Sequence, residues 1–110
     1  MRYGNLFAAI ALGTDSELVE VLSQDAQVRI ERIVSTGQAS PPGFWYDQPD
    51  SEFVVVLSGS ATLYFEQGDR RFDMNPGDWM EIPAHVRHRV DATQAEPPTI
   101  WLAVHVSASR

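Results

Sequence analysis

Apolar and polar residues alternate with period two along most of this 110-residue chain, and turn-forming residues break the alternation roughly every eight to twelve positions. A chain with that pattern makes short half-buried strands, not helices. Val28 to Ser35 reads as a strand, and the Gly, Ser and Pro content of Thr36 to Gly43 reads as a loop. Residues 44–47 are aromatic and extended, and Gln48-Pro49-Asp50 turns. Phe53 to Leu57 is expected to be a strand buried on both faces. In Ala61 to Glu66, the residues Ala61, Leu63 and Phe65 share one side. Gly68-Asp69 and Asn75-Pro76-Gly77-Asp78 are turns. They separate strands expected at Arg71 to Met74 and Trp79 to Ile82. His88 to Asp91 and Thr99 to Val106 follow, on either side of a loop at Glu96-Pro97-Pro98. The last strand is expected to be apolar on both faces. The start is less regular. Residues 5–10 suit a short turn or strand. Asp15 to Ser23 suits either a helix capped by Asp15 or Ser16, or a strand around Leu18 to Leu22. The expected fold is all-β, a sandwich or barrel. A segment 1–27, irregular or helical, packs on a barrel of residues 28–106, and a tail follows at 107–110.

Residues 77 to 88 carry the most specific pattern: Gly77-Asp78-Trp79-Met80-Glu81-Ile82-Pro83-Ala84-His85-Val86-Arg87-His88. The spacing of Gly77, Pro83 and His88 resembles the second motif of the cupins, G-x5-P-x-G-x2-H-x3-N. The first cupin motif, G-x5-H-x-H-x3,4-E-x6-G, is half present: Glu52 and Gly59 keep E-x6-G, while Trp45-Tyr46-Asp47-Gln48 stands where H-x-H is expected. The stretches 29–35, 43–48, 82–90 and 101–105 are also similar to a subgroup of small single-domain bacterial cupins. The resemblance, which covers roughly residues 28 to 106, implies a double-stranded β-helix, or jelly roll, with the motif side chains facing the barrel interior. An immunoglobulin-like sandwich lacks its Cys…Trp…Cys pattern here.

Composition removes several chemistries. The eight basic residues are all Arg, so lysine Schiff bases and lysine general bases are excluded. The absence of Cys removes disulfides, thiolate nucleophiles and cysteine-bound zinc, and fits a cytoplasmic protein. A net charge of −7 disfavours nucleic acid and anionic membrane surfaces as partners. The apolar run near the start is interrupted by Asn5 and followed by Asp15 and Glu17, which does not suit a signal peptide. No apolar run approaches the ~20 residues of a membrane helix. There is no Gly-rich phosphate loop, G-x-S-x-G elbow or H-E-x-x-H.

The resemblance implies a divalent metal, Fe, Mn or Zn, held by Glu52, His88 and one of Asp47 or Gln48. The lost first-motif histidines fall on Tyr46 and Gln48 with the three-residue spacer, or on Trp45 and Asp47 with the four-residue one. His85 replaces the glycine of the second motif. It is read as a rim histidine or a further metal ligand, according to which way its turn folds. His105 shares a strand face with Trp101 and Ala103, and suits a buried hydrogen-bonded histidine or a ligand. Arg32 lines the interior if Val28, Ile30 and Val34 do; Ile33 argues for the opposite parity. Trp45, Tyr46 and Trp101, with Arg32 and His105, are the candidate contacts to a small-molecule ligand.

Glu52 and His88 also admit a plainer reading, as polar groups that satisfy each other inside a barrel. Three functions follow. One is a metal-dependent cupin acting on a small organic acid or sugar-like metabolite. The second is a metal-free cupin that binds or senses a ligand. The third is a partner-binding module, with a homodimer expected through an apolar sheet face.

Overall fold

The computed structural model describes residues 1–107, and it is all-β over that range, with no helix. Three residues of the tail expected at 107–110 therefore lie outside the described residues. The strands are β1 (Leu18–Gln24), β2 (Val28–Ser35), β3 (Ser51–Ser58), β4 (Ala61–Phe65), β5 (Arg70–Met74), β6 (Trp79–Ile82), β7 (His88–Thr93) and β8 (Thr99–Val106). They form two antiparallel sheets, one ordered β1-β2-β8-β3-β6 and the other β5-β4-β7. This is the expected jelly roll. Among the described residues no helix is long and apolar enough to cross a membrane.

The helical alternative for 15–23 is corrected. β-branched Val19 and Val21 prefer extended backbone, and β1 completes its hydrogen bonds along β2, with Leu18 opposite Val34 and Gln24 opposite Arg29. Residues 5–10 form a turn, closed by the Ala8 amide on the Asn5 carbonyl.

The apolar runs of β3 and β8 are not buried on both faces. In β3 only Val54 and Val56 are fully buried, and Phe53, Val55 and Leu57 are half-buried. In β8 the buried side chains beyond Ile100 are Trp101, Ala103 and His105, while Leu102 and Val104 are half-buried. The core lies between the sheets. It joins Val54, Val56, Trp101 and Ala103 to Ala61, Leu63, Phe65 and Met74 of the facing sheet.

Two turns matter for the site. Gly59 has φ +77°, and a Cβ there would stand 2.6 Å from Thr99 Cα, so the β3–β4 turn presses against the start of β8. His85, in place of the family glycine, takes φ 63°. Its amide donates to the Gln48 carbonyl at 2.8 Å, and its ring pairs with Asp47. These two ties hold a non-glycine residue in the left-handed region.

Candidate functional site

Strand register sets the site. Across β2, β8 and β3, the residues Arg29, His105 and Glu52 stand opposite one another in one row. Two positions further along, the row is Glu31, Ala103 and Val54, and then Ile33, Trp101 and Val56. The inner face of the large sheet is therefore polar at one end and apolar at the other. His88 faces it from β7. Its ring is stacked on Phe65 at 5.6 Å and on Tyr46 at 5.3 Å, and both residues pair with it across neighbouring strands.

These residues enclose a cavity of about 250 Å³. His88 Nδ1 lies 2.8 Å from the Val86 carbonyl. A carbonyl only accepts, so Nδ1 carries the hydrogen, and the neutral ring presents its Nε2 lone pair. That Nε2 is 3.8 Å from Glu52 Oε1. His105 Nε2 is 3.0 Å from Glu31 Oε1 and 3.9 Å from Glu52 Oε2. It donates its hydrogen to Glu31, whose other oxygen accepts from Arg29 Nε at 2.9 Å. His105 Nδ1 is buried with no hydrogen-bond partner.

Burial pushes the Glu52 carboxyl above its ordinary value. His105 and then His88 oppose this, nearby Glu31 reinforces it, and Arg29 opposes it more weakly. The Tyr46 phenol is likewise pushed up, by burial first and then by the charges of Glu17 and Glu52. Glu52 thus brings a carboxyl near two imidazoles, at distances longer than a hydrogen bond.

Six of the residues singled out in the sequence line this cavity: Tyr46, Gln48, Glu52, His88, Trp101 and His105. Four do not. Residues 45–48 are extended, so Tyr46 and Gln48 turn inward while Trp45 and Asp47 turn away. Trp45 packs on Tyr64 and lies under the Arg87 guanidinium. Asp47 is exposed and pairs with the exposed ring of His85, Oδ1 to Nδ1 at 2.8 Å. Arg32 lies on the outer face of β2, because Ile33 and not Val34 faces the cavity. Its guanidinium donates to the Ala8 carbonyl at 2.6 Å and pairs with Glu20 at 3.1 Å.

Three charged lining residues escaped sequence reasoning: Arg29, Glu31 and Glu17. Ile33 carried the signal for the first two, since accepting its parity turns Arg29 and Glu31 inward.

The donor set does not fit a tightly held divalent metal. Among the described residues no group of three or more His, Cys, Asp or Glu side chains is placed to hold one. Asp47 and His85 are outside the cavity, and the His105 nitrogen nearest Glu52 is committed to Glu31. Glu52, His88 and the Gln48 amide remain, fewer strong donors than a closed site uses.

The family profile for the cupin domain matches residues 32–105. The chain belongs to the cupin superfamily. No curated protein matches this cupin. Among solved structures it is similar to a proposed mannose-6-phosphate isomerase from Ralstonia eutropha JMP134. The two are 50% identical over 98% of this chain and 100% of that one, with a TM-score of 0.94. A cupin superfamily protein from Desulfitobacterium hafniense DCB-2 is 21% identical over 89% and 84% of the two chains, with a TM-score of 0.74. A conserved Streptococcus pyogenes protein of unknown function is 20% identical over 99% and 90%, with a TM-score of 0.78. The last two similarities speak to the fold alone.

Proposed function

We propose that this cupin binds a small metabolite inside its barrel and moves a proton on it, with Glu52 and His88 as the acid–base pair and no resident metal. One observation carries the reading. A largely buried carboxyl stands between two imidazole nitrogens, at 3.8 and 3.9 Å, on the wall of a cavity. In that setting burial makes the carboxyl easier to protonate than an ordinary glutamate, and His88 Nε2 is the open base. His105, fixed by Glu31, is a positioning residue for Glu52. The cavity volume suits a metabolite smaller than a drug-sized ligand.

The Ralstonia protein's proposed activity supports this reading. Isomerisation of an aldose to a ketose moves a proton between neighbouring carbons, which is work for one base and one acid. The phosphate half of such a substrate finds little here. Among the described residues Arg29 is the one Lys or Arg side chain on the wall, and it is already bonded to Glu31.

Metal content of untagged protein, purified without chelator, is the first test. Substoichiometric metal is expected. The metal-bearing reading is favoured by the anchored His88 ring, since a hydrogen bond at one nitrogen is how a metal-bound imidazole is oriented. It predicts a near-stoichiometric ion that disappears in Glu52→Ala and His88→Ala, and that result would overturn the proposal. The second test is solvent deuterium exchange into a bound metabolite, followed by NMR. Exchange is expected with wild type and not with Glu52→Gln. Exchange that persists in Glu52→Gln removes Glu52 from the chemistry.

A further inference from the structure

Glu17 reaches the barrel from the segment before β1, and it differs from every other charged group on the cavity wall. Arg29 is bonded to Glu31, Glu31 also holds His105, and Glu52 faces two imidazoles. Among the described residues no Arg or His pairs with Glu17. Its carboxylate accepts the Ser35 hydroxyl at 3.1 Å, and Ser35 Oγ in turn accepts the Trp101 indole N–H at 3.1 Å. Ser35 and Trp101 are both buried. The relay holds the Glu17 carboxylate in place without neutralising it.

The charge balance of the cavity is one-sided. Arg29 and Glu31 offset each other, which leaves Glu17 as a carboxylate with no cation on the wall among the described residues, and Glu52 adds to it whenever it is deprotonated. An anionic ligand would meet like charge with no free cation to receive it. A second cavity adjoins the first, sharing Glu17, Tyr46 and Val90 and adding Asp15. Glu17 thus stands where the two spaces meet, with a second carboxylate on the outer side. Carboxylates around an opening raise the local concentration of cations.

A separate observation points to a ligand that carries hydrogen-bond donors. His105 is on the cavity wall and is buried. Because its Nε2 hydrogen goes to Glu31, the neutral ring keeps a lone pair on Nδ1, an atom that has no partner and almost no accessible surface. The open His88 Nε2 is a second unmatched acceptor. An ammonium group has three donors and no acceptor. The rest of the wall is apolar: Ile33, Val54, Leu63 and Ile82 face the same space.

We infer that the ligand is a small organic cation, a protonated amine whose nitrogen is held by Glu17 and whose apolar body lies against Ile33, Val54 and Leu63. This rests on the proposal that the barrel holds a metabolite, and narrows it to one chemical class.

Three probes of similar shape and different charge test it: cyclohexylamine, cyclohexanol and cyclohexanecarboxylate, titrated calorimetrically into wild type and Glu17→Gln. Glu17→Gln keeps an oxygen for the Ser35 hydroxyl, so its fold is preserved. The amine is expected to bind wild type about tenfold or more tighter than the alcohol. That preference is expected to vanish in Glu17→Gln while alcohol binding is unchanged. Equal binding of amine and alcohol, or tightest binding of the carboxylate, overturns the inference and leaves the barrel as a ligand site. An amine preference that survives Glu17→Gln overturns the role of Glu17. No heat from any of the three overturns both the inference and the proposal beneath it.

Discussion

Glu52 and Gly59 come from one sequence motif, yet the structure gives them separate tasks, and Gly59→Ala separates fold from chemistry. A Cβ on Gly59 would lie 2.6 Å from Thr99 Cα, 2.7 Å from Thr99 Oγ1 and 2.9 Å from the Pro98 carbonyl oxygen. Comfortable contact between carbons begins near 3.5 Å, so the overlap is close to 1 Å and falls mainly on backbone. Overpacking of this kind costs about 1–3 kcal/mol, and a left-handed φ costs an alanine roughly 1–2 kcal/mol more. Thr99 Oγ1 accepts the Gln94 amide at 3.1 Å and lies 2.9 Å from the Ser60 and Gln94 carbonyls. Losing one of these buried bonds adds about 1 kcal/mol. Alanine returns under 1 kcal/mol by stiffening the unfolded chain. The net loss is about 4 kcal/mol, a large part of the total for a domain of this size. With a slope of about 2 kcal/mol per molar urea, the midpoint falls by about 2 M. Urea unfolding of wild type and Gly59→Ala, followed by tryptophan fluorescence, measures it. A midpoint shift under about 0.5 M would mean that the β3–β4 turn and the start of β8 are not pressed together.

Glu52→Gln is expected to behave in the opposite way. Burial raises the folded-state pKa of Glu52, so this group favours the fold below the unfolded-state value and loses that contribution as pH rises through the folded-state one. The variant should therefore gain stability over wild type between pH 5 and 8 and lose the advantage below about pH 4, where glutamate is protonated in both states; urea midpoints across pH that stay parallel refute this. Trp101→Phe removes the indole hydrogen bond to Ser35, a residue buried completely, and is expected to cost about 1–3 kcal/mol. An unchanged melting temperature would contradict that. A homodimer is expected at micromolar concentration, because Val55, Leu102 and Val104 are only half-buried on the outer face of the large sheet and Trp79 is exposed on β6. Light scattering at the monomer mass would refute it.

The strands were legible because one face of each sheet is buried, and burial imposes alternation. Val28 to Ser35 and Thr99 to Val106 were read with the bounds that the structure has. Glu52 and His88 were legible through the resemblance of their spacing to the cupin motifs, and register does bring them near each other. Arg29 and Glu31 were not, because β2 carries apolar residues on both faces. Its outer face is also covered: the first residues of the chain lie over it and their carbonyls take the Arg32 guanidinium. An apolar count cannot assign parity to such a strand. Glu17 had no local signal, since its place depends on Ser35 and Trp101, far along the chain.

The loss of the first-motif histidines is compensated by neighbours, and this accounts for a cupin barrel that stays polar without a metal cage. A buried Glu52 needs an opposite charge or a proton. Where a metal is held, the ion supplies the charge. Here burial raises the Glu52 pKa, so a proton can serve instead, while His105 comes in from β8, directly opposite Glu52 and beside Arg29, with its ring fixed by Glu31. The inward pair at 46 and 48 selects the three-residue spacer, so Tyr46 and Gln48 occupy the positions of the two missing ligands. Tyr46→His with Gln48→His would place two imidazoles on the same wall as Glu52 and His88, a set of three imidazoles and one carboxylate that suits Zn(II), Fe(II) or Mn(II). The double variant is expected to acquire a near-stoichiometric divalent ion and to melt at a higher temperature with the ion than without it. Metal analysis before and after dialysis against chelator reads this directly. If the folded double variant stays metal-free, the wall does not have the family geometry. If wild type carries the same ion, His105 and Glu31 are not the substitutes argued for here.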